Sequence, residues 1–248
     1  KEIAAAYQRN HHKTKMVVGD ITALDLEETF GTFAGKIDVI IGGPPCQGFS
    51  QKGQRKTIHD ERNFLFKYYV KVVKLVRPRY FVMENVPNLL TAENGYFQKE
   101  IIDLFNSMGY SLNTGILNAA DFGVPQNRRR AVIIGKRDGE APALPVKTEQ
   151  RVTIWDAIGD LAYLESGEGQ EEQQYADLPV SDYAKSLRGN MCELHNHVAT
   201  KHSKLALERL ALIPPNCGKE VLPDEHLTKS IYSGTWSRMI KDDISATI

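Results

Sequence analysis

The chain is poor in cysteine, and this excludes two kinds of structural framework. It contains three cysteines in 248 residues: Cys46, Cys192 and Cys217. Their spacing matches neither a disulfide framework nor a zinc site, which favours a reducing compartment such as the cytoplasm. The closely spaced His195, His197 and His202 lack a carboxylate or thiol at ligand spacing, so we expect capping and packing roles and no metal.

Long apolar runs and an excess of charge of one sign are also missing. No apolar run is long enough to span a membrane, so we expect no membrane partner. The 31 basic and 31 acidic residues cancel, which points to no particular partner. An enzyme acting on nucleic acid would have to cluster its basic residues on one face. A hydrophobic content of 42% is enough for a sizeable core.

One stretch organises the rest of the chain. The apolar and β-branched residues 37–41 predict a buried strand, and Gly42-Gly43-Pro44-Pro45 then predicts a sharp, stiff turn. Cys46 therefore follows the carboxyl end of a strand, which is where ligands bind in open α/β sheets. A thiol there can act as a nucleophile if its surroundings favour the thiolate. The alternative is a turn that contains an ordinary buried cysteine.

The hydrophobic pattern of the first half predicts alternating strands and helices, which is typical of a doubly wound, Rossmann-like α/β fold. The predicted strands are 15–18, 37–41, 79–84, 110–118 and 130–135, and the predicted helices are 1–10, 24–30, 61–76 and 95–108. Gly109 is a suitable C-cap for the last of these helices.

The composition changes after Asp138, and we place a domain boundary at 140. Residues 1–140 form the predicted catalytic domain and residues 141–248 a connector with part of a second, smaller target-recognition region. In that region we predict short helices at 152–161 and 203–212 and an exposed acidic loop at 165–182.

Two more segments bring polar residues to strand ends. Glu84 ends the predicted strand 79–84, where we expect a partly desolvated carboxyl that can donate a proton. Its alternative roles are a salt bridge or a helix cap. The basic segment 126–130 precedes another strand, although charge runs are commonly only solvated faces. In a parallel sheet Cys46 and Glu84 would project at the same edge.

Together, these segments resemble the motifs of one family, the cytosine-5 DNA methyltransferases of bacterial restriction-modification type. The matching segments are Pro45-Cys46-Gln47, Glu84-Asn85-Val86 and Gln126-Asn127-Arg128-Arg129-Arg130, with Gly19-Asp20-Ile21, 60–65 and 117–126 as further matches. The resemblance is dense over about residues 1–137 and weaker beyond, through 154–158 and 245–248.

The resemblance implies a mechanism on a cytosine flipped out of duplex DNA. Cys46 would add to carbon 6 of the ring, and carbon 5 would then attack the methyl group of S-adenosylmethionine. Glu84 would contact ring nitrogen 3 and the exocyclic amine, while Arg128 and Arg130 would hold the base oxygen and the nearby backbone. The polar loop 47–60 would close over the base.

The resemblance also implies two sets of binding residues. S-adenosylmethionine would contact Asp20, Ile21, Pro45 and Leu65, and DNA would contact Gln47, Ser50, Asn85 and Gln126. The Gly-rich first motif and the last motif of the family do not occur in the sequence. We therefore expect the chain to be a fragment that needs further N- and C-terminal segments of the same protein, or a complementing chain.

Three other functions stay open at this point. A tRNA cytosine-5 methyltransferase shares the fold and the chemistry, although the variable region modestly favours DNA. A non-catalytic DNA-binding relative is disfavoured by the intact Cys46 and Glu84. A thiol hydrolase with a Cys–His pair would need a histidine at a strand end facing Cys46, and the sequence pattern predicts none.

Overall fold

The computed structural model describes residues 2–45, 64–227 and 237–247. The chain divides into two compact units. A short segment of the second unit interrupts the sequence of the first. The first unit comprises 1–117 and 129–145, and the second comprises 118–128 and 146–248.

The helices and strands alternate along the first unit and are short in the second. The first series is α1 (Glu2–Asn10), α2 (Leu26–Phe30), β1 (Val39–Gly42), α3 (Phe64–Val76), β2 (Tyr80–Asn85), α4 (Asn88–Thr91), α5 (Tyr96–Ser107), β3 (Tyr110–Asn118) and β4 (Arg129–Arg137). The second is α6 (Ile154–Ile158), β5 (Gly169–Gln174), α7 (Asp182–Arg188), β6 (Glu193–Val198) and α8 (Lys204–Ala211). Among the described residues, none of these helices is long and apolar enough to cross a bilayer.

A four-stranded mixed sheet in the order β1-β2-β4-β3 forms the centre of the first unit. Strands β1 and β2 run parallel, with Gly42 opposite Met83. Strand β4 runs antiparallel to β2, with Asn85 opposite Ala131, so β4 begins where β2 ends. The predicted α/β class is confirmed, but the sheet is mixed. The antiparallel direction brings the start of β4, with Arg130, to the edge at which β1 and β2 finish.

The core lies on one face of this sheet, and alternate residues of β2 point into it. Phe81 and Met83 are fully buried, whereas Glu84 between buried neighbours points to the opposite face. Helix α5 presents apolar residues at helical spacing to the same core. The buried cluster comprises Phe66, Tyr69, Val73, Phe81, Met83, Leu89, Leu90, Phe97, Ile101, Phe105, Tyr110, Ala131 and Ile133. Dense packing on one face holds the strand ends in place for the site.

Three sequence predictions about the fold are wrong. Strand β1 forms but is not buried, since Val39 and Ile41 are 45% and 78% exposed. Residues 15–18 form no strand, and Val17 and Val18 are about half exposed, since no other described strand pairs with them. The predicted loop 165–182 contains β5, which pairs antiparallel with β6 and thereby satisfies its backbone despite its polar sequence. The predicted end of α5 is confirmed, since Gly109 has a φ of 84° and its N–H donates to the Asn106 carbonyl at 2.9 Å.

Candidate active site

The two glycines at the end of β1, Gly42 and Gly43, leave space for neighbouring side chains and do not adopt an unusual backbone conformation. Neither has a positive φ, which corrects the expectation that they are needed for a sharp turn. A Cβ at Gly42 would lie 2.5 Å from the ring of Tyr69, and a Cβ at Gly43 would lie 3.3 Å from Glu84 Oε2. Gly42 therefore lets Tyr69 of α3 pack against the end of β1. Gly43 lets the following loop begin beside the Glu84 carboxylate.

Tyr69 fixes α3 to the sheet at this point. Its hydroxyl donates to the Val82 carbonyl oxygen at 3.2 Å, and its ring packs edge-on against Phe81 with the centroids 6.3 Å apart. Burial raises the pKa of the Tyr69 hydroxyl well above its usual value. Tyr69 is therefore a neutral packing and hydrogen-bonding residue next to the strand ends.

Asn85 connects the end of β2 to the loop that follows β1. Its Nδ2–H donates to the Pro44 carbonyl oxygen at 2.8 Å, and its Oδ1 accepts the N–H of Val86 at 2.9 Å. The residue is 7% exposed, so the amide lies in the protein and faces the loop. This arrangement holds the backbone immediately before Pro45. The DNA contact that the sequence implied for Asn85 stays a prediction.

Glu84 and Arg130 form an ion pair at the same edge of the sheet. Arg130 Nε lies 2.8 Å from Glu84 Oε1, and the two side chains are 23% and 47% exposed, Arg130 first. The salt bridge that the sequence offered as an alternative role for Glu84 is present, and the partly desolvated proton donor stays a prediction. The pair exists because antiparallel β4 starts beside the end of β2. At this exposure an ion pair contributes about 0–1 kcal/mol to stability, so both side chains can leave the pair and bind a ligand instead.

Gln126 and Arg128 lie in the second unit, in contrast to Arg130. Both are half-buried. The Arg128 carbonyl oxygen accepts the N–H of Ala119 at 3.0 Å. This hydrogen bond joins the two ends of the segment 118–128. Gln126 forms a parallel β-bridge with Ser245. The basic segment of the sequence is therefore divided between the two units.

Asp20 lies in a tight turn in the first unit. Its Oδ1 accepts the N–H and the hydroxyl of Thr22 at 2.9 and 2.8 Å, and these two hydrogen bonds lower the pKa of Asp20. Tyr68 of α3 donates its hydroxyl to the Thr22 carbonyl oxygen at 3.4 Å, so the turn is linked to the helix that carries Leu65. An exposed, ionised carboxylate on an ordered turn fits a hydrogen-bond donor such as an adenine amine.

The other predicted site residues are placed only in part. Ile21 and Leu65 are half-buried, and Pro45 is exposed. Cys46, Gln47 and Ser50 lie outside the described residues. Within the described ranges, no group of three or more His, Cys, Asp or Glu residues is arranged to hold a metal ion. His197 instead donates Nε2–H to the Ala162 carbonyl oxygen at 2.8 Å.

A cavity of about 600 Å³ lies in the second unit. Asn127 and Thr247 line it together with Cys217, Arg238 and Asp243, among others. Neither Glu84 nor Arg130 is a lining residue.

The family model of the C-5 cytosine-specific DNA methylases matches residues 1–240. The chain belongs to this family. The family resemblance of the strand-end motifs is thereby confirmed over nearly the whole sequence, including the part in which the motifs themselves are sparse.

Relatives in the family include bacterial Type II methyltransferases. M.DdeI of Desulfomicrobium norvegicum is 36% identical over 230 residues, which cover 89% of the chain and 55% of that protein. M.XorII of Xanthomonas oryzae pv. oryzae is 38% identical over 253 residues, which cover 93% of the chain and 58% of that protein. The chain thus spans a little over half the length of these curated relatives.

A solved structure shows the same fold. It is a prophage-encoded Escherichia coli protein described as a DNA modification methyltransferase, with a TM-score of 0.67 over 98% of this chain and 72% of that one. At 22% sequence identity this likeness supports the fold alone. The Rossmann-like α/β fold predicted from the alternating elements is confirmed.

Proposed function

We propose that the protein to which this chain belongs is a DNA (cytosine-5-)-methyltransferase, which transfers a methyl group from S-adenosylmethionine to carbon 5 of a flipped-out cytosine. The observation that carries the proposal is the Glu84–Arg130 pair at 2.8 Å, next to a loop start that Asn85 holds through the Pro44 carbonyl. Family membership supports the same chemistry. The relatives named Type II methyltransferases favour a restriction-modification context.

The roles of the side chains follow from their chemistry. Cys46, which follows Pro45 directly in the sequence, is the proposed nucleophile that adds to carbon 6 and makes carbon 5 electron-rich. Glu84 contacts ring nitrogen 3 and the exocyclic amine and supplies a proton or hydrogen bond as the thiolate adds. Arg130, with Arg128, donates charge-assisted hydrogen bonds to the base oxygen and the nearby backbone.

Binding of the cofactor is proposed for the first unit. The ionised Asp20 accepts the adenine amine, and Ile21, Pro45 and Leu65 provide apolar contact. S-adenosylmethionine supplies an electrophilic methyl group on sulfur. Further contacts come from segments outside residues 1–248, such as the Gly-rich motif of the family, on the same protein or on a complementing chain. We propose Gln47, Ser50 and Gln126 as contacts to DNA.

The decisive experiment uses the full-length protein and duplex DNA that contains 5-fluorocytosine. Fluorine at carbon 5 blocks the final elimination, so we expect a stable covalent protein–DNA adduct in the presence of S-adenosylmethionine. Cys46→Ser should abolish the adduct, and Cys192→Ser is the matched control that should retain it. An undiminished adduct in Cys46→Ser would refute the nucleophile. Adduct formation only with 5-fluorocytosine in tRNA would transfer the function to RNA.

The ion pair gives a second test. Arg130→Ala should reduce the rate of adduct formation at least tenfold, whereas the free energy of unfolding should fall by no more than about 1 kcal/mol because the pair is partly exposed. Urea titrations measure the stability. Wild-type adduct rates in Arg130→Ala would contradict the role of Arg130 at the base.

A further inference from the structure

The last described residues of the chain are bonded directly to the loop that carries Gln126 and Arg128. We define residues 243–247 as the strap and residues 125–128 as the Gln-Arg loop. The Ser245 N–H donates to the Pro125 carbonyl oxygen at 2.9 Å, and the Asn127 N–H donates to the Ser245 carbonyl oxygen at 2.8 Å. These bonds form a parallel β-bridge, and Ser245 is only 7% exposed.

Thr247 adds a side-chain contact to the same loop. Its hydroxyl donates to the Asn127 carbonyl oxygen at 2.5 Å. The bond reaches the peptide that joins Asn127 to Arg128, so it fixes the orientation of the backbone directly before the arginine. Asn127 is held from the other side as well, since its Oδ1 accepts the side-chain amide of Asn118 at 3.1 Å.

The strap is itself anchored at its other end. Asp243 Oδ1 pairs with Arg151 Nη2 at 2.7 Å and accepts the N–H of Ile244 at 2.8 Å. The Asp243 carbonyl oxygen accepts the N–H of Ile154, the first residue of α6, at 2.9 Å. The strap thus connects the Gln-Arg loop to the α6 segment of the same unit. It thereby removes conformational freedom from a loop that is distant in sequence.

We propose that the strap positions the Gln-Arg loop for catalysis and that the Thr247 hydroxyl is its positioning group. Thr247 acts through the backbone before Arg128 and needs no contact with the reacting atoms. The proposal rests on the proposed function, in which Arg128 helps to hold the base and the nearby backbone. A loop that is held in its bonded arrangement before DNA arrives needs less ordering in the reaction.

The test compares Thr247→Val with Thr247→Ser in the full-length protein. Val keeps the shape and removes the hydroxyl, and Ser restores the hydroxyl. We expect Thr247→Val to lower the rate of adduct formation at saturating DNA about two- to tenfold, the range for loss of one hydrogen bond, and Thr247→Ser to recover it. The matched control is Thr29→Val, which removes a hydroxyl bonded to the Asp25 carbonyl at 2.6 Å in α2 and should leave the rate unchanged.

A double-mutant cycle separates positioning from other roles. In an Arg128→Ala background, Thr247→Val should have little further effect on the rate, because both changes act through the same loop. Additive effects would overturn the proposal. A raised Kd for DNA with an unchanged saturating rate would also overturn it, since that result indicates a direct DNA contact by Thr247. Absence of any adduct with the wild-type protein would instead refute the proposed function.

Discussion

Asn85→Asp is the sharpest perturbation that the structure offers at the loop before Cys46. The aspartate keeps the Oδ1 acceptor for the Val86 N–H and replaces the amide donor by an oxygen that faces the Pro44 carbonyl oxygen. The lost bond is 2.8 Å long and lies at a residue that is 7% exposed. Disrupting such a buried interaction costs about 1–3 kcal/mol. If this cost falls on the loop, the population of its bonded arrangement drops roughly 5- to 150-fold.

The assay is single-turnover adduct formation on DNA that contains 5-fluorocytosine, at saturating DNA. We expect the rate to fall in proportion to the lost population, while the Kd for DNA stays near the wild-type value. Asn113→Asp is the matched control, because Asn113 also donates its amide to a proline carbonyl, that of Pro142 at 3.3 Å, away from the loop. A rate for Asn85→Asp within about twofold of that for Asn113→Asp would refute the reasoning. A raised Kd with an unchanged rate would favour a DNA contact.

Two further predictions concern stability. Gly42→Ala should lower the free energy of unfolding by about 1–3 kcal/mol, because its Cβ would collide with Tyr69 at 2.5 Å, whereas Gly31→Ala, with a nearest contact of 3.4 Å, should be neutral or slightly stabilising in urea titrations. Asp156→Asn should make the free energy of unfolding depend less on pH in the acid range. Hydrogen bonds from the Thr153 backbone and hydroxyl lower the pKa of Asp156, so its contribution to stability is fully present above the usual pKa of an aspartate and is lost as the pH falls through the lowered pKa.

Contrary results are easy to recognise. Equal urea midpoints for Gly42→Ala and Gly31→Ala would mean that Tyr69 can move aside without loss of packing. Parallel stability curves for wild type and Asp156→Asn from neutral pH down through the lowered pKa would mean that the capping box formed by Thr153 and Asp156 does not contribute to folding.

The location of the site could be predicted from the sequence because strand ends have a local signature. An apolar run that stops at glycine and proline fixes the end of β1, and the apolar run that stops at Glu84 fixes the end of β2. The parallel pairing of these two strands follows from the helix between them. For the same reason the sequence pattern by itself places the residues of both strand ends at one edge of the sheet.

The direction of β4 could not be predicted in this way. Pairing partners are determined by contacts between distant residues, and the pattern of β4 alone is compatible with either direction. The ion pair between Glu84 and Arg130 depends on that direction, so the sequence could offer a salt bridge only as an alternative role for Glu84. The predicted strand at residues 15–18 is absent for a related reason, since a segment with strand propensity needs a partner strand in order to form a strand. The bonds from Ser245 and Thr247 to the Gln-Arg loop join segments far apart in sequence and have no local signal.

The partial exposure of the Glu84–Arg130 pair is consistent with the proposed function. If the pair were buried, separating its charges would leave each uncompensated at a cost of about 3–5 kcal/mol, and a base would have to supply that energy on binding. At 47% exposure for Glu84 and 23% for Arg130, the attraction between the two side chains is largely screened by water. A cytosine that accepts hydrogen bonds from Arg130 and donates an amine N–H to Glu84 therefore replaces a weak ion pair with two charge-assisted contacts. The same pair holds the two side chains together at the edge of the sheet before the base arrives, which reduces the ordering that binding requires.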